Sequence, residues 1–170
     1  LLSVQVINRH QNNLDLHFVD ANTGKTKVVL NEKDAAYVEV TDHLTFLKDN
    51  SFIWTSEKDG FNHIYHYDQN GKLKKQITKG NWEVTAYYGF DEKNKTIYYQ
   101  SVENGSINRD VYAINIDGKG KIRLSSKTGT NAATVGSGRV RMVGSSTQQI
   151  IGKTDFDRLL INNSPGVTNT

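Results

Sequence analysis

The stretch HIYHYDQNGKLKKQIT fills residues 63–78, and DVYAINIDGKGKIRLS fills residues 110–125. Laid over one another without a gap, Ile64 meets Val111, Tyr65 meets Tyr112, Gly71 meets Gly118, Lys72 meets Lys119 and Ile77 meets Leu124. The offset is 47 residues, and Gly24 and Leu30 hold the same two positions one period earlier. Before each glycine stands a β-type run, LDLHFVD from Leu14, HIYHYD from His63 and DVYAINI from Asp110. After each comes a short polar strand, KTKVVL, KLKKQIT or KGKIRLS. The turns between them, DANTG, DQNG and NIDG, set Asp or Asn close to a glycine that tolerates positive φ. Each unit reads as a tight antiparallel hairpin.

More strands precede each hairpin. SFIWTSE from Ser51 and KTIYYQSVE from Lys95 are rich in aromatic and β-branched residues and run into the polar loops KDGFN and NGSINR. HLTFL from His43 and VTAYYGFD from Val84 come before those. The period thus holds four short strands, and the one helical candidate is a turn near NEKDAAY from Asn31. Four antiparallel strands repeated every ~40–50 residues are the mark of propeller blades. A four-stranded sheet cannot cover both its faces, so it stacks on the next copy, and radial repetition closes a ring. A single β-sandwich with look-alike hairpins is the rival, and the gap-free register at Gly, Lys and the aliphatic position disfavours it.

The expected fold is therefore all-β, about three four-stranded antiparallel blades of a β-propeller, at 1–42, 43–83 and 84–130. That is an incomplete ring, since propellers have about four to eight blades. Raw ends leave apolar surface wet, so self-association through the blade edges is expected. The pattern holds over 1–134. From Val135 onward the composition changes: Lys153 is the sole lysine, tyrosine is absent and Pro165 is the only proline of the chain. No fourth blade is expected at Asn131, and 135–170 reads as an atypical tail, a linker or non-native segment. Within it, DFDRLLIN suggests one short strand or helix.

Composition narrows the function classes. The 170 residues are 36% hydrophobic and 23% charged, polar for their number but not disordered by composition. With no cysteine, a disulfide framework, a thiolate metal site and a cysteine nucleophile are all excluded. The net charge of +3 is spread along the chain. Its densest cluster, Lys72, Lys74 and Lys75, is split between two faces by strand alternation, so no nucleic-acid stripe is expected. No apolar run approaches the ~20 residues of a membrane span. LLSVQVINRH at the start lacks the features of a signal peptide and a starting methionine, as mature protein or an internal piece would.

Chemistry is harder to find. No G-x-S-x-G elbow is present. Of the histidines His10, His17, His43, His63 and His66, the last two lie three apart on an expected strand and point to opposite faces, so they cannot grip one metal. Surface or blade-packing roles fit them better. Glu57, Lys58 and Asp59 read as a solvated hairpin tip with Gly60 at the positive-φ position, in preference to a binding loop. Trp54 and Trp82 read as filler between blades in preference to ligand-stacking groups. The carboxylate and lysine clusters lack the spacing of a calcium loop. No catalytic, substrate-binding, cofactor or metal residue is assigned, and no cofactor is expected.

FIWTSEKDGFNHIYHYD, QITKGNWEVTAYYGFD and TIYYQSVENGSINRDVYAI resemble later propeller blades of dipeptidyl-peptidase IV-like serine peptidases, within the prolyl oligopeptidase family. YVEVTDHLTFL from Tyr37 and GTNAAT from Gly129 fit the bacterial branch. The likeness runs from about Leu2 to Thr134. It implies a parent with an eight-bladed propeller and a C-terminal α/β-hydrolase domain, releasing N-terminal dipeptides with proline or alanine second. It implies a Ser, Asp and His triad in the hydrolase domain, a paired-glutamate motif for the substrate amine, and no cofactor. It also suggests a periplasmic or extracytoplasmic setting. Neither motif is found here, since no two glutamates are adjacent and no nucleophile elbow occurs. The chain is thus expected to lack activity alone and to have the remaining blades, the hydrolase domain and the parent's peptide substrate as partners. The alternative is a non-enzymatic propeller module that binds a protein.

Overall fold

The structure is a computed structural model that describes residues 1–136, 139–143 and 158–162. It divides into two compact units, Leu1–Lys75 and Gln76–Thr170. Among the described residues there are strands and turns but no helix.

The first unit holds two meanders. Strands β1 (Leu2–Ile7), β2 (Asn13–Val19) and β3 (Thr26–Lys33) form one antiparallel sheet in that order. Strands β4 (Thr45–Phe46), β5 (Phe52–Ser56), β6 (His63–Tyr67) and β7 (Leu73–Gln76) form the other. Alternation decides what each face does. On β2, Leu14, Leu16 and Phe18 point inward and are buried, while Asp15, His17 and Val19 line the opposite face. The inward set packs with Val29 and Val38 on Phe52, Trp54, Tyr65 and Tyr67 of the second sheet. Phe18 sets its ring 5.0 Å from that of Phe46 and 5.1 Å from that of Phe52. On β5 and β6 the other face, Ile53, Thr55, Ile64 and His66, is buried as well. A strand buried on both faces reads as a continuous apolar and aromatic run, which is how FIWTS and HIYHY appear.

The second unit repeats the scheme. Strands β8 (Val84–Asp91), β9 (Thr96–Ser101), β10 (Asp110–Asn115) and β11 (Ile122–Arg123) make a four-stranded antiparallel meander. Its inner face, Tyr98, Val111, Ala113 and Leu124, packs with Ala133. Ala133 belongs to β12 (Ala132–Gly136), which pairs antiparallel with β13 (Arg139–Val143). Strand β14 (Arg158–Asn162) joins β13 in parallel. The expected blades are present: stacked antiparallel meanders of three or four strands, the building unit of a β-propeller.

The repeat glycines sit where the hairpins turn. Gly24, Gly71 and Gly118 have φ of 69°, 82° and 79°. In each turn the glycine N–H reaches back to the carbonyl of Asp20, Asp68 or Asn115. The same residue's side-chain oxygen accepts further backbone N–H groups, at Asn22 and Thr23, at Asn70 and Lys72, and at Asp117. Asx chemistry and positive φ together close the hairpin.

Three expectations are corrected. NEKDAAY is not a helical turn: β3 runs on to Lys33, with Glu32 opposite Leu14. Asp34 then accepts the N–H groups of Ala36 and Tyr37 in an Asx turn, which competes with helix. The first sheet has three strands among the described residues, not four. At Asn131 a further sheet does open, with β12 and β13 in antiparallel register. The sequence pattern missed it because β12, AATVG, lacks the large aromatic side chains that mark the earlier strands. The segment DFDRLLIN contributes a strand, β14. Residues 137–138, 144–157 and 163–170 of the expected tail lie outside the described residues.

Candidate functional site

One cluster brings together the residue types of a hydrolytic triad. Ser51, at the mouth of β5, donates its hydroxyl to Asp49 and meets His66 Nε2 at 2.9 Å. The order is wrong for catalysis. A nucleophile needs its histidine to take the proton and the carboxylate to orient the histidine. Here the serine stands between the two and gives its proton to the carboxylate. Ser51 and His66 are also buried. The Ser51 hydroxyl, followed by its N–H and Lys74, holds the Asp49 carboxyl down at about 2. Burial, with Lys74 adding to it and Asp49 opposing, holds His66 below its ordinary value. The trio fixes the start of β5 on β6. His63 is fully buried, so both strand histidines take blade-packing roles, and they do so on opposite faces as alternation requires.

A second cluster lies where β5 and β6 end. The loop 57–60 is exposed and Gly60 has φ of 96°, as expected of a hairpin tip. Its lysine is not simply solvated, however. Lys58 Nζ donates to the Tyr67 hydroxyl at 2.7 Å and lies 4.0 Å from the Tyr65 ring centre and 5.0 Å from that of Tyr67. The cause is local: Lys58 N–H bonds to Ser56 Oγ, and the four-carbon stem then folds back over the aromatic strand. Glu32 of β3 joins the cluster through Trp54, whose indole N–H its Oε1 accepts at 3.0 Å. Burial raises the Glu32 carboxyl above its ordinary range, against the pull of Ser56, Trp54 and Lys58. Burial lowers the Lys58 ammonium, with Glu32 and Asp59 opposing. Burial also pushes the Tyr65 and Tyr67 hydroxyls up. Trp54 is fully buried and fills the space between the two sheets, as read from the sequence.

The second unit has two polar nodes. Asp110 is fully buried and accepts from Arg123 Nη2 at 2.8 Å and Ser125 Oγ at 2.7 Å. Asn131 and Asn104 approach the same carboxylate at 3.4 Å. The node ties the start of β10 to the strand after it. Nearby, Lys121 pairs with Glu103 and lies 5.6 Å from the Trp82 ring centre and 5.7 Å from that of Tyr112. Trp82 is only partly buried, unlike Trp54. Tyr99 and Tyr112 stack at 5.5 Å, and burial, first of several causes, raises the Tyr112 hydroxyl to about 12.

No group of His, Asp and Glu among the described residues converges on a metal position. The arrangement holds blades together and presents one polar, aromatic rim in the first unit. Sequence reasoning located Trp54, Lys58 and the histidines but passed over Glu32 and Asp110. Neither has a clear local signal, because Glu32 meets Trp54 of β5 while Asp110 meets Arg123 of β11 and Ser125 beyond it.

The comparisons with known proteins agree with this geometry. Residues 1–149 match the family described as "Dipeptidyl peptidase IV (DPP IV) N-terminal region". The dipeptidyl peptidase 4 of Arthroderma otae is 38% identical over 68 residues, 40% of this chain and 9% of that protein. The dipeptidyl peptidase 4 of Trichophyton rubrum gives the same identity and coverage. The crystal structure of Porphyromonas gingivalis dipeptidyl peptidase 4 superposes with a TM-score of 0.73 at 40% identity, over 80% of this chain and 19% of that one. The chain thus spans a small part of the length of each.

Proposed function

The chain belongs to the dipeptidyl peptidase IV N-terminal region family, and from that premise we propose that it serves as propeller blades of a dipeptidyl-peptidase IV-like serine exopeptidase. In this reading the parent releases N-terminal Xaa-Pro and Xaa-Ala dipeptides. These blades form part of the wall through which substrate reaches a hydrolase domain, admitting slender peptide ends and rejecting folded proteins. The observation that carries it is the coincidence of the family match over residues 1–149 with blade stacking in both units. The chemistry belongs to the hydrolase domain in this reading, since the Asp49, Ser51 and His66 cluster has its serine in the middle. The other blades and the hydrolase domain are the partners, and the setting is periplasmic or extracytoplasmic.

The test is hydrolysis of a Gly-Pro chromogenic dipeptide. The purified 170-residue chain shows no turnover above buffer, and the parent enzyme that contains it does. Turnover by the chain alone, or a parent inactive on Gly-Pro and Gly-Ala substrates, overturns the reading.

Self-association follows from the same proposal. On β1, Leu2, Val4 and Val6 point outward and are 56%, 40% and 50% exposed, and Val28 on β3 joins their face, across His17 from Val4. An apolar stripe on an uncovered sheet face is an association site. The isolated chain therefore sediments with a weight-average mass that rises with concentration, and Val4→Lys with Val6→Glu returns it to monomer. A concentration-independent monomer in the unmutated chain would sink this part of the proposal.

A further inference from the structure

The rim of the first unit holds a cation-binding arrangement whose walls and occupant come from different structural levels. The walls are strand-borne and rigid: Tyr65 and Tyr67 of β6 are 1% and 4% exposed, and Glu32 of β3 is fixed by the Trp54 indole. The occupant is the Lys58 ammonium, carried at the end of a flexible stem from an exposed turn. Both rings lie within the ~6 Å at which a cation is attracted by a ring face. The Tyr67 hydroxyl accepts one ammonium proton, and the carboxylates of Glu32 and Asp59 both act on the ammonium through their charge. Aromatic faces, a hydroxyl acceptor and nearby carboxylate charge are the chemistry that recognises a primary ammonium.

The second unit repeats part of the arrangement. Tyr112 holds the repeat position of Tyr65, and it too has a lysine near its face with a carboxylate beside it. Yet Lys121 comes from the turn after β10, whereas Lys58 comes from the turn before β6. Two ammonium groups thus reach rings at one repeat position from turns at opposite ends of the matching strands.

We propose that the recess formed by Tyr65, Tyr67 and Glu32 is a binding site for primary alkylammonium groups such as a lysine side chain, which Lys58 fills as an internal stand-in and from which another molecule's ammonium displaces it. The tether gives Lys58 a high effective concentration, so the site is self-occupied at rest and opens only to a competing cation. The inference is independent of the peptidase reading, since it concerns a rim site and not the reaction.

The test uses the full chain and n-butylammonium chloride as probe, against sodium chloride at matched ionic strength. Lys58→Ala empties the recess. Its thermal midpoint then rises saturably with butylammonium, at a half-saturating concentration at least about tenfold below that of the unmutated chain. Adding Glu32→Gln weakens that response. An equal rise with sodium chloride, or equal responses in the variant and the unmutated chain, overturns the site. Should Lys58→Ala fail to fold, the unmutated chain carries the test through NMR of lysine ε-methylene groups. The Tyr65 ring current displaces the Lys58 signal, and butylammonium moves it toward the positions of the other lysines. A Lys58 signal unmoved by butylammonium refutes displacement.

Discussion

Replacing Gly71 by alanine lowers the stability of the chain by about 3 kcal/mol, whereas the same change at Gly24 costs about 1 kcal/mol or less. The two glycines share a repeat position, a turn and a positive φ, at 82° and 69°. Left-handed backbone strain on an alanine is therefore common to both, partly offset by the lower entropy of the unfolded chain. Their surroundings differ. A Cβ on Gly24 meets nothing within 4 Å. A Cβ on Gly71 falls 1.7 Å from the carbonyl oxygen of Val29 and 2.7 Å from its carbon. Those are backbone atoms of β3, a paired strand, so no side chain can rotate away to relieve the overlap. Either the turn lifts off or β3 shifts, and a shift disturbs Val29, which lies in the core. The Lys27 ammonium, 2.7 Å from Asn70 Oδ1, pins the same contact and is lost with it. Urea titration of both variants checks this, because a loss of stability moves the midpoint without changing the slope. Equal midpoints for Gly71→Ala and Gly24→Ala would show that the two sheets do not meet at this turn.

This pair also shows what was legible in the sequence. Positive φ is a local property, so three glycines at one offset reveal three hairpins from the letters alone. Which glycine is pressed by a neighbour is not local, because it depends on where the preceding sheet lands. The same division runs through the candidate site. Alternation placed His63 and His66 on opposite faces, and aromatic content marked β5 and β6 as covered on both sides. Nothing near Glu32 shows that it meets Trp54, 22 residues on and in another sheet. Lys58 looked solvated because its neighbours in sequence are polar, while its partners, Tyr65 and Tyr67, lie across the hairpin. The strand at Ala132–Gly136 was missed for a related reason: its pairing rests on backbone bonds to β13 and one small side chain, Ala133, in the core.

Trp54→Ala costs about 3–5 kcal/mol, the usual range for emptying a large aromatic from a core. That rivals the whole stability of a small domain, roughly 5–15 kcal/mol. Trp54 is fully buried among Leu14, Leu16, Phe52 and Tyr65, so the cavity opens between the two sheets and not within one. Two effects are combined in that number, and a second substitution separates them. Trp54→Phe keeps most of the ring but deletes the N–H that Glu32 accepts. Leaving this half-buried carboxylate one donor short costs about 1 kcal/mol, beyond the modest volume change. If the hydrogen bond matters, Glu32→Ala and Trp54→Phe are non-additive by about 1 kcal/mol or more in a double-mutant cycle, since they delete the two ends of one contact. Additive losses would mean that Trp54 acts through its volume alone and that Glu32 is held by Ser56 and Lys58. A strong coupling would mean that the interior of the first unit is joined by a polar clasp as well as by its rings. In that case the clasp also fixes a carboxylate whose charge acts on Lys58, so the rim site and the stacking of the two sheets share one residue and fail together.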